Sequence, residues 1–173
     1  MDQTNDQRCR ELLVSIRKII QAIDIYSRNL NKKFGLTGPQ LIILQEISNR
    51  GEICVTPLSR HTSLSQATVT DITKRLESKG YILREKKEGD KRSVYLSLSE
   101  KGHDIIKTLP PPLQQTFTDG FSKLENWEQL MILSGFERVV HLMSAQEIDA
   151  SPIMTTGPID DQQTLYETPP KML

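Results

Sequence analysis

The feature that most constrains the fold is a change of hydrophobic period in the middle of the chain. Residues 66–79, QATVTDITKRLESK, space their apolar side chains as one face of a helix does. Residues 93–98, SVYLSL, alternate apolar and polar side chains, which is typical of a half-buried strand. Because YILREK at 81–86 also has the pattern of a strand, the sequence predicts a helix followed by a β-hairpin, with Gly89 and Asp90 at its tip.

A second short helix is predicted just before this one. Thr56 is placed to cap a helix that begins at Pro57, and Ser65 is placed to cap the helix that stops at Gly80. Two helices joined by a short turn form a helix-turn-helix unit. The second helix is expected to bury the face formed by Val69, Ile72, Thr73 and Leu76.

The opposite face of the second helix combines small residues near its start with cations further along. Small residues let a helix end approach base edges, and Lys or Arg can reach guanine or phosphate. A solvated amphipathic helix has the same composition, so the pattern leaves both interpretations open. Asp71 repels phosphate, but it can accept a hydrogen bond from cytosine or pair with Arg75. This face carries Ala67, Asp71, Lys74 and Ser78, flanked by Thr68, Thr70 and Arg75.

The predicted hairpin tip is rich in cations, namely Lys86, Lys87, Lys91 and Arg92. Exposed loops are often charged, so solubility is one explanation. A hairpin beside a helix in the major groove, however, lies over the neighbouring minor groove, whose negative potential attracts an arginine. Arg92 is the candidate for this contact, and Asp90 can hold its guanidinium group by a charge-assisted hydrogen bond.

The first third of the chain predicts two helices. Residues 10–33 carry an apolar stripe at helical spacing, and Gly35 ends that helix. Thr37 is a predicted N-cap for the next helix, with Pro39 in its first turn and Gln40 completing a capping box. The stripe consists of Leu12, Ile16, Ile19, Ile23, Tyr26 and Leu30, and the second helix is expected to bury Leu41, Ile42, Leu44 and Ile47.

The last third is also predicted to be helical. A helix begins at Ser99, with Gly102 in its first turn, and the prolines at 110–112 interrupt the helical pattern. Further helices are predicted near 113–124 and 126–144, the latter with apolar Leu130, Leu133, Val140 and Met143. From Asp149 the chain has prolines, acids and no periodicity, which is typical of a loosely docked tail.

Charge is distributed unevenly although the net charge is zero. Residues 56–107 carry 11 basic and 7 acidic side chains, whereas residues 108–173 carry 3 and 9, so the basic centre favours a local anionic partner. The cysteines, Cys9 and Cys54, form no disulfide framework. The sequence shows no signal peptide and no apolar run near the roughly 18 residues that a membrane span needs. A cytoplasmic location without membrane association is therefore expected.

No enzymatic pattern is present in the sequence. His61, His103 and His141 are too far apart for a metal-binding motif, and no phosphate-binding glycine loop or nucleophile elbow occurs. We therefore expect no catalytic residues, no metal and no cofactor.

Three segments carry a family resemblance: LTGPQLIIL at 36–44, LSQATVTDITKRLESKGYILR at 64–84, and DKRSVYLSLSEKG at 90–102. They resemble the MarR family of winged-helix transcription regulators, and the resemblance extends over about 10–144. It implies a mainly α fold, with a winged helix-turn-helix and its small hairpin, and dimerisation helices at both ends. It also implies that Arg92 enters the minor groove and Asp90 holds it, while Gln66, Ala67, Thr68, Thr70, Asp71 and Lys74 lie where the family contacts the major groove.

The resemblance implies an obligate homodimer on a palindromic double-stranded operator. The chain is then organised as a dimerisation helix at 1–35, a winged helix-turn-helix at 36–102, dimerisation helices at 103–148 and a polar tail at 149–173. The expected dimerisation residues are Leu12, Ile16, Ile19, Ile23, Leu130, Leu133 and Val140. Family members often bind an aromatic acid, but the residues here identify no effector. Peroxide-sensing relatives have a reactive cysteine in the first helix, whereas Cys9 comes about one turn too early.

Three further segments narrow the resemblance: SIRKIIQAIDIYSRNL at 15–30, LPPPLQQTF at 109–117 and DASPI at 149–153. They are similar to regulators of compatible-solute genes, those for ectoine and glycine betaine, which implies a repressor of osmotic-stress genes. The alternative is a winged-helix module whose basic face, with Lys74, Arg75, Lys91 and Arg92, binds an acidic protein.

Overall fold

The computed structural model describes residues 3–86, 93–148 and 154. Within these residues the fold is mainly helical with one small antiparallel sheet, so the predicted fold class is confirmed. The elements are α1 (Gln3–Phe34), α2 (Gly38–Arg50), β1 (Glu52–Cys54), α3 (Val55–Thr62), α4 (Gln66–Ser78), β2 (Ile82–Glu85), β3 (Tyr95–Leu98), α5 (Glu100–Ile106), α6 (Leu113–Phe121) and α7 (Asn126–Leu142). The chain divides between Leu109 and Pro110 into two compact units, each described here by itself.

Helix α2 lies at the centre of the first unit and packs against α3, α4, α5 and the sheet. Its start follows the predicted capping box, because the backbone N–H of Thr37 donates to Oε1 of Gln40 at 3.3 Å. The predicted buried face is wrong at one position: Ile43 is fully buried, whereas Ile42 is half-exposed. Ile42 lies on the same side of the helix as Glu46, so it faces away from the core.

The sheet has the strand order β1-β3-β2, with both pairs antiparallel. The predicted hairpin is confirmed, with Ile82 opposite Leu98 and Glu85 opposite Tyr95. Leu96 and Leu98 face the core as their alternation predicts. Sequence analysis missed β1, because a strand of three residues is too short to show a period.

The start of α3 differs from the prediction that Thr56 caps it. Cys54, at the end of β1, is the N-cap, and Thr56 lies in the first turn of the helix. Cys54 has extended backbone angles, so the helix begins directly where the strand ends. Pro57 is tolerated at the third helical position because the first four N–H groups of a helix have no intrahelical acceptor.

Helix α1 begins at Gln3, earlier than the apolar stripe suggests, and ends at Phe34. Gly35 follows with φ +63°, and its N–H donates to the carbonyl oxygen of Asn31 at 2.8 Å. This left-handed cap matches the predicted helix end.

Helix α5 begins after Ser99, as predicted, and the hydroxyl group of Ser99 accepts from the N–H of Gly102 at 3.0 Å. Gly102 packs against the turn before β2. A Cβ atom at this position would lie 2.0 Å from the carbonyl oxygen of Tyr81 and 3.3 Å from the side chain of Leu98. The base of the hairpin therefore needs a glycine here.

Replacing Gly102 with alanine is expected to lower the free energy of unfolding by about 1–3 kcal/mol, the usual cost of overpacking. The backbone of Tyr81 must shift to admit the methyl group, which no rotamer change can avoid. Chemical denaturation measures the effect. Gly120→Ala in α6 is the matched control, since a Cβ there meets nothing within 4 Å, and it should be neutral or stabilising. Equal stability of the two variants would contradict the prediction.

The second unit contains α6 and α7. The prolines at 110–112 precede α6, as predicted, and both helices end two or three residues earlier than predicted. Phe117 and Phe121 stack with ring centroids 5.6 Å apart. The side-chain amide of Gln129 donates to the carbonyl oxygens of Leu124 and Phe121, at 2.9 and 3.2 Å, and so joins α7 to the end of α6.

Candidate nucleic-acid interface

Helix α4 is fixed at its start by the predicted N-cap. The hydroxyl oxygen of Ser65 accepts from the N–H of Thr68 at 3.0 Å and lies 2.8 Å from the hydroxyl oxygen of Thr68. These contacts satisfy one of the free N–H groups at the start of the helix. The cap therefore fixes the start of α4 through contacts within the chain.

One face of α4 is buried as predicted. Val69, Thr73 and Leu76 are fully buried and Ile72 nearly so. The hydroxyl group of Thr73 donates to the carbonyl oxygen of Thr70 at 3.0 Å, which satisfies this polar group inside the core. The helix cannot roll without exposing this face, so the direction of its other face is fixed.

The structure brings the predicted contact residues of α4 together on that other face. Gln66, Ala67 and Lys74 are exposed, and Thr68, Thr70, Asp71 and Arg75 are half-exposed. The hydroxyl group of Thr70 donates to the carbonyl oxygen of Gln66 at 2.7 Å. Because this hydroxyl is already engaged, Thr70 offers its methyl group and its free lone pairs to a base edge.

Asp71 has a cationic neighbour on the same face. The Nζ atom of Lys74 lies 3.8 Å from Oδ1 of Asp71, and both side chains are substantially exposed. An exposed pair at this distance contributes little to stability. Lys74 can therefore leave Asp71 for a phosphate at small cost. Whether Asp71 also pairs with Arg75, as the sequence allowed, remains a prediction.

The hairpin is joined to α4 by an ion pair across the two elements. Nη1 of Arg84 in β2 lies 3.7 Å from Oε2 of Glu77, and the side chain of Arg84 is only 20% exposed. Lys86 is exposed at the end of the described part of the hairpin. The predicted roles of Asp90, Lys91 and Arg92 lie outside the described residues.

Large apolar side chains are exposed on two helices at the ends of the chain. On α1, Leu12 is 45% and Ile19 40% exposed, while Ile16 and Ile23 are half-buried. On α7, Leu130, Leu133 and Val140 are 54, 53 and 41% exposed. The predicted role of these residues in dimerisation remains a prediction.

A shallow groove of about 530 Å³ lies beside the outer strand β1. Arg50 and His61 line it, with Nη2 of Arg50 3.2 Å from Nδ1 of His61, and Arg50 also pairs with Glu46. The sequence did not show that Arg50 lies beside His61, because α2 and α3 are brought together only by the fold. Glu52 also lines the groove, so acidic side chains lie on this surface beside Arg50.

Cys9 is exposed, Cys54 is half-buried, and both are free thiols. The described ranges contain no group of His, Cys, Asp or Glu that could hold a metal ion. In the same ranges no helix has the length and apolar character needed to cross a bilayer.

Comparison with known proteins shows which family has this architecture. The model of the MarR family matches residues 36–94, from the start of α2 to the hairpin. The HTH-type transcriptional regulator SarZ of Staphylococcus haemolyticus is 31% identical over 115 residues, which are 66% of this chain and 76% of that protein. The chain belongs to the MarR family.

Solved structures of low identity share the fold. The transcriptional regulator BldR from Sulfolobus solfataricus has a TM-score of 0.51 at 23% identity, covering 82% of this chain and 99% of that chain. A mutant of MarR from E. coli, complexed with operator DNA, has a TM-score of 0.51 at 22% identity, covering 81% and 99%. The winged-helix fold predicted from the sequence is therefore confirmed. This MarR family member is a DNA-binding transcription regulator, and its family and relatives are regulators rather than enzymes.

Proposed function

We propose that this MarR family member is a homodimeric repressor that recognises a palindromic operator by inserting α4 into the major groove. The observation that carries the proposal is the arrangement of α4, whose fully buried face at Val69, Thr73 and Leu76 fixes the direction of its exposed polar face. A recognition surface on a rigid element keeps its geometry when DNA binds. The basic charge of residues 56–107 favours the same partner.

The side chains on the exposed face of α4 form two groups according to their length. Short side chains near the start of the helix allow close approach to base edges, and the cations one to two turns later reach phosphates. Gln66 provides an amide that can pair with adenine. In this proposal Gln66, Ala67, Thr68, Thr70 and Asp71 face base edges, and Lys74 and Arg75 contact phosphates.

The hairpin completes the interface in this proposal. Arg92 enters the minor groove, Lys91 contacts the backbone, and Asp90 orients Arg92, as the family resemblance implies. Support comes from the base of the hairpin. The ion pair between Arg84 and Glu77, at 3.7 Å, joins β2, the first strand of the hairpin, to α4.

A homodimer explains the exposed apolar side chains of α1 and α7. Leaving Leu12, Ile19, Leu130 and Leu133 in water is unfavourable, because each buried Leu or Ile side chain gains about 1.5–3 kcal/mol. A second copy has the matching surface by symmetry. The predicted boundaries, with dimerisation segments at 1–35 and 103–148, are part of this proposal.

The target genes are proposed to be those of the osmotic-stress response. The support is the resemblance of residues 15–30, 109–117 and 149–153 to regulators of compatible-solute genes. The curated relatives compared above are SarZ-type regulators, so this proposal has no support from them. Phosphate contacts weaken steeply with ionic strength, so salt can release the protein without any small-molecule effector. The expected cytoplasmic location, where a regulator meets its operator, belongs to the same proposal.

Selection from a pool of randomised duplexes tests the proposed function. We expect the chain to enrich one palindrome with half-site centres about 10 bp apart, as a symmetric dimer requires. The enriched palindrome, called here the selected duplex, should bind at least about 10³-fold more tightly than a scrambled duplex, the range for specific regulators. Salt-sensitive binding without preference would favour the alternative of a basic module for an acidic protein.

Genome-wide binding at low and high osmolarity tests the target genes. Peaks before genes for osmolyte synthesis or transport, lost at high salt, are the expected result. Peaks at other genes would leave the regulator intact and disprove the osmotic assignment.

A further inference from the structure

The C-terminal ends of α1 and α4 are each met by a lysine from elsewhere in the fold. Lys79, directly after α4, donates from Nζ to the carbonyl oxygen of Gly35 at 2.6 Å and lies 3.3 Å from Oε1 of Gln40. Lys101 of α5 donates from Nζ to the carbonyl oxygen of Lys79 at 2.7 Å, with its ammonium group 4.7 Å from the ring centre of Tyr81. A chain of hydrogen bonds thus joins α1, α4 and α5.

Helix electrostatics explain why lysines occupy these places. The last carbonyl groups of a helix lack intrahelical donors and carry negative partial charge. A nearby ammonium group can donate hydrogen bonds to these oxygens and offset their charge. Lysine has three donors and no acceptor, which suits it to join carbonyl oxygens from two elements. Gly35 ends α1 with φ +63°, and Lys79 fixes the oxygen of this residue.

The connection from α1 to α2 consists of Gly35, Leu36 and Thr37. Leu36 is fully buried and anchors the middle of this connection. Glycine has more backbone freedom than any other residue type. Because Gly35 is also solvent-exposed, it is the point at which α1 can pivot. Lys79 holds the carbonyl group of Gly35 against the end of α4.

We propose that Lys79 is a positioning residue for DNA binding, which sets the angle between α4 and α1 by fixing Gly35. The inference rests on the proposed function, in which α1 dimerises and α4 enters the major groove. The angle between these helices in each protomer sets the distance between the two copies of α4. That distance must match one turn of DNA, about 34 Å, for both half-sites to be bound together.

A direct phosphate contact is the competing role for an exposed lysine at the end of α4. The two roles differ in their dependence on salt. Each phosphate contact contributes about 0.9 to the slope of log K against log salt concentration. A lysine that is engaged with Gly35 and Gln40 contributes nothing to this slope.

The experiment compares Lys79→Met, which keeps a stem of similar length without the donors, with Lys79→Arg, which keeps donors. Lys33→Met, an exposed lysine in the last turn of α1, is the matched control. The probes are the selected duplex and versions with one base pair added or removed between half-sites. For Lys79→Met we expect about 10-fold weaker binding to the selected duplex, reduced discrimination between spacings and an unchanged salt slope. Lys79→Arg should restore discrimination, and Lys33→Met should behave as wild type.

Three results would overturn the inference. One is a Lys79→Met variant whose salt slope falls by about 2, one contact per protomer, with spacing discrimination intact. Another is a variant identical to wild type in both measurements. The third is a variant with a changed melting temperature and unchanged spacing discrimination, as expected of a lysine that only stabilises the fold. Spacing discrimination is therefore the first readout to compare.

Hydrogen–deuterium exchange without DNA separates this inference from the proposed function. Peptides covering residues 33–38 should exchange faster in Lys79→Met than in wild type or Lys33→Met, because a connection no longer held by Lys79 opens more often and exposes amide groups such as the N–H of Gly35, which donates to Asn31. Unchanged exchange would disprove the link between Lys79 and Gly35 whatever the DNA results are. A wild-type chain that selects no duplex would instead disprove the proposed function. The exchange experiment would still test the link between Lys79 and Gly35, because it uses no DNA.

Discussion

Replacing Ile19 with aspartate is expected to convert the proposed homodimer into monomers of 19.7 kDa. Ile19 lies on the apolar stripe of α1, and its side chain is 40% exposed in the single chain, so aspartate costs the monomer little. In the interface the same carboxylate would be buried without a partner, which costs several kcal/mol per protomer. Sedimentation equilibrium should show the monomer. Affinity for the selected duplex should fall about 10²–10⁴-fold, since the two half-sites are no longer bound together.

Gln21→Asp is the matched control for this prediction. Gln21 lies two residues further along α1, on nearly the opposite side of the helix, and it is exposed. The same residue is introduced into the same helix, so any general loss of helix propensity is shared. Leu133→Asp tests α7 independently and should act as Ile19→Asp does. A dimeric Ile19→Asp variant would place this residue outside the interface and refute the assignment of the α1 stripe.

The parts of the fold that local chemistry decides were predictable from the sequence. The Ser65 cap and the buried face of α4 each depend on residues within a few positions of one another. Ser65 caps because its hydroxyl group reaches the N–H of Thr68, and no distant residue affects that contact. The exposed face of α4, the centre of the candidate site, follows directly from the buried one.

The parts that distant contacts decide were not predictable. The three residues of β1 form a strand only because β3 lies beside them, more than 40 positions later in the sequence. That pairing also moves the start of α3 to Val55 and makes Cys54 its cap in place of Thr56. Lys79 meets Gly35 across 44 positions, and no periodicity reports such a contact.

The apolar pattern of a helix that is packed on several sides does not show which of its sides faces water. Helix α2 contacts other elements around most of its circumference, so apolar residues alone do not show which side remains in water. Ile42 and Ile43 are the same residue type, and only the position of the neighbouring elements decides which is buried. The apolar stripe of α1 is buried at Leu30 and exposed at Leu12 and Ile19. The proposed dimer would cover the exposed part of this stripe.

Reversing the charge of Lys74 is expected to cause a large loss of DNA binding while the fold and the proposed dimer stay intact. The side chain of Lys74 is 62% exposed, on the face of α4 proposed to meet DNA. Lys74→Glu replaces a phosphate-binding cation with an anion in both protomers. We expect affinity for the selected duplex to fall at least about 100-fold and the salt slope to fall by about 2. Fluorescence anisotropy over a series of salt concentrations measures both quantities.

Lys107→Glu in α5 is a closely matched control. Each lysine follows an aspartate by three residues in a helix: Asp71 precedes Lys74 at 3.8 Å, and Asp104 precedes Lys107 at 3.0 Å. Both side chains are mostly exposed, at 62 and 71%. The two variants therefore have the same net charge and the same new repulsion between neighbouring carboxylates. If they weakened binding equally, Lys74 would act only through the overall charge of the protein. A loss confined to Lys74→Glu, with selected and scrambled duplexes both weakened, instead assigns this lysine to the phosphate backbone, because a contact to phosphate carries no sequence information.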